Sequence, residues 1–81
     1  MLEICTFVVG DGTGGTEKHI GSTNTEEECL SLVRREEPSA NGATWGSGGC
    51  YAEFGATGNN GRCCRWRTCL FRGHHLKGQL L

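Results

Sequence analysis

Gly49-Cys50-Tyr51-Ala52-Glu53-Phe54-Gly55 is a strand-like run with a cysteine at its head and glycines at both ends. Read with period two, Cys50, Ala52 and Phe54 share one face while Tyr51 and Glu53 share the other, the pattern of a half-buried β-strand. Such a run is expected to lie centrally in a small sheet. Immediately before it, Ala43-Thr44-Trp45 reads as a short strand, and Gly46-Ser47-Gly48-Gly49 as the hairpin connection between the two. Asn41-Gly42 is a turn signal ahead of that pair.

Further out, Glu3 to Val9 is rich in β-branched and aromatic residues and predicts a strand with Cys5, Phe7 and Val9 on one face. The run Gly10 to Gly15 reads as a flexible loop, Thr16 to Ile20 as a short strand ended by Gly21, and Cys63 to Phe71 as the last strand. One helix is expected over Thr25 to Glu37. Thr25-Glu26-Glu27-Glu28 forms a capping box, in which the Thr25 hydroxyl accepts from the Glu28 amide and the Glu28 carboxylate reaches back to the Thr25 amide. Three acidic side chains there also suit the positive end of the helix dipole. Cys29, Leu32 and Val33 recur at i, i+3 and i+4 with Leu30 beside them, so Cys29 points inward, and Pro38 limits the helix.

The chain has 81 residues, enough for one domain but too few to be secure on an apolar interior alone. Six cysteines supply an alternative. An even count in so short a chain reads as a disulfide framework and therefore as an oxidising, secreted or extracellular setting. Eight basic and nine acidic side chains leave a formal charge of −1, so no global field favours nucleic acid or anionic lipid, and a cationic antimicrobial role is weakened. No segment has the apolar length of a membrane-spanning helix. Met1-Leu2-Glu3-Ile4 lacks the regions of a signal peptide, so a secreted protein would be represented here by a mature or excised piece. Fourteen glycines and a single proline imply many turns in an ordered domain.

Cys5-Thr6-Phe7 before a glycine loop, Thr25-Glu26-Glu27-Glu28-Cys29 opening a helix, Gly49-Cys50-Tyr51-Ala52-Glu53-Phe54 and Trp66-Arg67-Thr68-Cys69 together resemble the PAN/apple class of extracellular modules. More closely, they are similar to a cysteine-rich apple-like variant of secreted and adhesive proteins of marine invertebrates. The resemblance runs from about Cys5 to Phe71. It implies an α+β fold, in which a small antiparallel sheet of about five strands cradles one helix and is stapled by disulfides. It also implies that Cys5 pairs with Cys69 and Cys29 with Cys50; the first bridge would close almost the whole chain and the second would tie helix to sheet. Cys63 and Cys64 depart from the pattern. Three fates stand open for them: a bridge to each other, an intermolecular bond giving a disulfide-linked dimer, or free thiols. The module spans residues 1–72, with a tail over 73–81.

Arg65-Trp66-Arg67, with Tyr51 and Trp45, is the candidate recognition surface, because arginines beside exposed aromatics stack on sugars or grip acidic groups. The competing reading buries Trp66 opposite Cys69 and leaves the arginines solvated or paired to Glu53. Other motifs weigh less. Gly10, Gly12 and Gly15 spell a nucleotide-binding pattern, but no helix follows directly and the chain cannot hold a dinucleotide fold. The same loop lacks the repeated acidic ligands of a calcium hand. Cys63, Cys64, Cys69, His74 and His75 carry zinc-type ligands at a spacing that matches no standard finger. His19 reads as a surface residue, and Asn60-Gly61-Arg62 is similar to a short adhesion tripeptide but is first a turn. No nucleophile motif or cofactor site is evident, so the expectation is a non-enzymatic recognition or adhesion module that binds a protein or carbohydrate. A free-standing secreted toxin or host-defence peptide is the alternative, and a zinc-binding module a more distant one.

Overall fold

A computed structural model describes residues 5–71. Its elements are β1 (Val8–Val9), β2 (Gly12–Thr13), β3 (Thr16–Ser22), α1 (Glu26–Glu36), β4 (Gly42–Gly46), β5 (Gly49–Phe54), β6 (Gly58–Asn59) and β7 (Arg67–Leu70). Five of the strands form an antiparallel sheet in the order β1-β7-β4-β5-β3, while β2 and β6 pair as a separate two-stranded ribbon. The architecture is α+β, as the sequence predicts.

The hairpin β4–β5 is the nucleus of the sheet. Ser47 and Gly48 both sit at positive φ, 50° and 81°, the two-residue turn whose twist matches the flanking strands. That turn sets Trp45 opposite Cys50 and Ala43 opposite Ala52. The quoted run is therefore an interior strand, but the middle position belongs to β4, with β3 as the edge beyond β5.

Helix α1 lies against β4 and β5. Its Thr25 hydroxyl accepts from the Glu28 amide at 3.1 Å, as expected of the cap, whereas the Glu28 carboxylate receives the Asn24 amide at 2.9 Å instead of that of Thr25. The return bond thus falls one residue earlier in the chain. Cys29 and Val33 are fully buried and meet Ala40, Ala43, Cys50 and Ala52, with Ile20, Leu32, Trp45, Phe54, Phe7 and Phe71 packed around them. The largest fully buried side chains are Val33, Thr44, Cys29, Cys50 and Cys69. No large aliphatic or aromatic residue is among them, so apolar burial per residue is modest and the bridges carry correspondingly more of the stability.

Cys29 is bonded to Cys50 with 5.3 Å between their Cα atoms, and Cys5 to Cys69 with 5.6 Å. Both pairings match those implied by the PAN/apple resemblance. Cys63 and Cys64 lie side by side on an exposed segment.

Five local expectations are corrected. Among the described residues, the first strand is hydrogen-bonded only over Val8–Val9, although burial already alternates from Cys5 onward. The glycine loop contains β2, which is zipped to β6 through Gly12–Asn59 and Thr13–Gly58. Gly21 does not end β3: a register shift between His19 and Gly21 carries the strand on to Ser22. The last strand is confined to Arg67–Leu70. Asn41, read as part of a turn, is a clamp, because its side chain donates to the Ala56 carbonyl at 2.8 Å and accepts from the Ala56 amide at 3.1 Å. The tail 73–81, including His74 and His75, lies outside the described residues.

Candidate functional site: the open face of the sheet

Alternation along the strands sorts the candidate residues onto two faces. Ala43, Trp45, Cys50 and Ala52 belong to the helix side, where Trp45 packs on the core and its indole Nε1 donates to the Thr23 carbonyl at 3.3 Å. Arg67 stands opposite Trp45 in β7 and turns to the same side, where it forms an ion pair with Glu26 in the first turn of α1 and donates to the Phe7 carbonyl at 3.3 Å. Arg67 is thus held by Glu26, not by Glu53. Trp45 and Arg67 link helix, sheet and the chain's first segment.

The opposite face gathers Tyr51, Trp66, Arg65 and a residue the sequence reading left as a lone surface group, His19. Cross-strand pairing sets His19 directly beside Tyr51, with ring centroids 4.9 Å apart. Tyr51 meets Trp66 edge to face at 5.4 Å, the geometry favoured by aromatic quadrupoles. The Arg65 guanidinium lies 5.4 Å from the Trp66 ring centroid, within cation–π range. Glycine makes this file possible: a Cβ on Gly46 would run into the Trp66 ring, so the indole packs against bare backbone. Tyr51 and Trp66 are each part-buried and Arg65 is exposed.

Beside the aromatic file lies a polar track. Glu53, expected to point outward to solvent, is only 2 % exposed. Gly12 closes over it, since a Cβ there would come within 2.8 Å of the carboxyl carbon. Its Oε2 contacts the Thr44 hydroxyl at 2.6 Å; Thr44 contacts the Thr68 hydroxyl at 2.7 Å; and Thr68 donates to the Gly10 carbonyl at 2.8 Å. One oxygen from each of Asp11, Glu17 and Glu53 lies within 4.8 Å of the others, and Asp11 Oδ1 is enclosed without a hydrogen-bond partner. Burial pushes the Glu53 carboxyl up to about 7; the Thr44 contact opposes this, while Glu17 and Asp11 add to it. None of the ion pairs Lys18–Glu37, Arg35–Glu36 and Arg67–Glu26 reaches the cluster.

Of the zinc-type residues, Cys69 is buried in its bridge to Cys5, and His74 and His75 lie outside the described residues. Asn60 acts as a turn residue, its side-chain oxygen accepting from the amides of Asp11 and Arg62. Among the described residues, no helix is long and apolar enough to cross a membrane. Comparison with known protein families, with curated proteins and with solved structures finds no match to this chain.

Proposed function

We propose that this chain is an extracellular recognition module of the PAN/apple type, its sheet cradling the helix, which binds a protein or carbohydrate partner in an adhesive setting and performs no chemistry of its own. The observation that carries the reading is the file His19–Tyr51–Trp66 with Arg65 above it, on the sheet face opposite the helix. Aromatic rings held in place by backbone and by one another present stacking surface at little entropic cost, and a guanidinium beside them adds a charged donor. Five antiparallel strands, one helix, and the Cys5–Cys69 and Cys29–Cys50 bridges support the family assignment. The disulfides agree with a life outside the reducing cytosol.

A screen of the oxidised protein against glycan and protein arrays tests the reading. Tyr51→Ala and Trp66→Ala should each weaken a captured ligand by more than about tenfold, the loss expected of a central aromatic contact, while Thr57→Ala on the far loop should not. A ligand whose affinity is indifferent to both aromatic changes would place recognition elsewhere on the surface.

A further inference from the structure

The hydroxyl chain behind the aromatic file has more contacts than hydroxyl hydrogens. Three short contacts run in series, Glu53–Thr44, Thr44–Thr68 and Thr68–Gly10, and the last acceptor is a carbonyl. Only Thr68 can supply the hydrogen to Gly10. The Thr44 hydrogen is then required between the two threonines, and the contact at 2.6 Å between Thr44 and Glu53 is left without one unless the carboxyl brings it. With Glu53 protonated, all three contacts are hydrogen bonds pointing one way, from β5 through β4 and β7 to the end of β1. With Glu53 ionised, Thr44 must turn its hydrogen to the carboxylate. Thr68 can then satisfy Thr44 or Gly10, but not both.

We propose that Glu53 is a proton-operated clasp: its acid form fastens the Gly10–Thr13 segment to the sheet through Thr44 and Thr68, and its ionised form leaves that chain one hydrogen short, at Thr44–Thr68 or at Thr68–Gly10. The surroundings favour the acid. Glu17 on β3 and Asp11 in the β1–β2 loop are the charged groups facing it; β4, β7 and β2 contribute Thr44, Thr68 and Gly12, none of which titrates. On the same face His19 lies two residues from Glu17 and is engaged with Tyr51. Burial of the carboxyl acts in the same direction. The segment that the clasp governs also carries the amide bonds Gly10 to Trp66, Thr57 to Thr13 and Asn60 to Asp11, so its loosening has a direct readout.

The test follows hydrogen exchange at the Gly10, Thr57 and Asn60 amides of the intact oxidised protein from pH 5 to pH 8, corrected for intrinsic rates, with the Glu53 carboxyl carbon followed by NMR on the same sample. Protection at the three amides should fall about tenfold, the effect of losing roughly one hydrogen bond, with the midpoint of the Glu53 titration. In Glu53→Gln the side-chain amide supplies a permanent donor to Thr44, and protection should not vary with pH. Thr68→Val should leave protection low at both ends of the range. The proposal is overturned if Glu53 titrates in the ordinary carboxyl range, if protection stays flat through its titration, or if Glu53→Gln keeps the wild-type pH dependence. Should a variant fail to fold, the wild-type comparison of carboxyl titration and amide protection decides alone.

Discussion

Removing the Cys29–Cys50 bridge as the pair Cys29→Ala/Cys50→Ala should cost this domain a large share of its stability. The two residues are 21 apart in sequence, and closing a loop of that length restricts the unfolded chain by roughly 3 kcal/mol at 25 °C on the chain-entropy relation. Both side chains are fully buried, so the truncation also leaves unfilled volume between α1 and β5, and the total should exceed that figure. A domain of 81 residues has on the order of 4–12 kcal/mol in all. By contrast Val33→Ala, at the largest fully buried apolar side chain, removes two methyl-sized groups and should cost roughly 1–3 kcal/mol. The assay is urea unfolding followed by circular dichroism, with wild type, the paired variant and Val33→Ala compared at fixed pH. The bridge variant should have the lower midpoint and a steeper denaturant slope, because its unfolded chain is no longer held compact. If it unfolds within about 1 kcal/mol of wild type while Val33→Ala is the more damaging, interior packing and not sulfur holds the fold, and the reasoning fails.

Glu53 binds its proton near pH 7 in the folded state and, with an ordinary carboxyl value of 4.5, loses it earlier when unfolded; stability is therefore full at acid pH and falls between about 4.5 and 7, by up to about 3 kcal/mol, then levels. Urea midpoints at several pH values should trace that decline in wild type and lose most of it in Glu53→Gln. Gly46→Ala should displace the Trp66 ring from the sheet, seen as altered tryptophan fluorescence and near-ultraviolet dichroism, with ligand affinity falling in step and the Cys5–Cys69 and Cys29–Cys50 bridges intact.

The parts of this fold that the sequence disclosed are those governed by near neighbours. The cap at Thr25, the inward face Cys29–Val33 and the Gly46–Gly49 connection depend on spacings of four residues or fewer, and each is found close to where it was expected. The bridges became legible only through a resemblance, because cysteine positions alone do not fix pairing. Glu53 was misplaced for a different reason. Alternation correctly put it opposite Ala52, but the cover over that face comes from Gly12, Thr44 and Thr68, which lie far from it in sequence. Nothing near Glu53 announces them. Arg65-Trp66-Arg67 was grouped as one patch on adjacency in sequence alone, whereas alternation separates neighbours. Trp66 and Arg67 lie on opposite faces, and the Arg65 guanidinium sits over the indole. His19 joined the site through pairing with β5, a contact that no local pattern encodes.

The two faces are connected by a single steric cause. A disulfide requires its Cα atoms to come within about 6 Å, and the Cys29–Cys50 pair sits at 5.3 Å, which holds α1 close against β5. Drawn in that far, the helix leaves room between the layers only for small side chains, and Ala40, Ala43, Ala52 and Val33 occupy it. Trp45, Phe54 and Phe7 are displaced to its rim. Tyr51 and Trp66 stand on the side of the sheet away from α1, where they pack on glycine backbone and on each other. The sulfur that replaces a large core thereby also decides where the aromatic surface goes. A wider, leucine-filled interior on the same topology would hold the helix without the bridge. It would also remove the reason for confining bulky rings to the rim and to the open face.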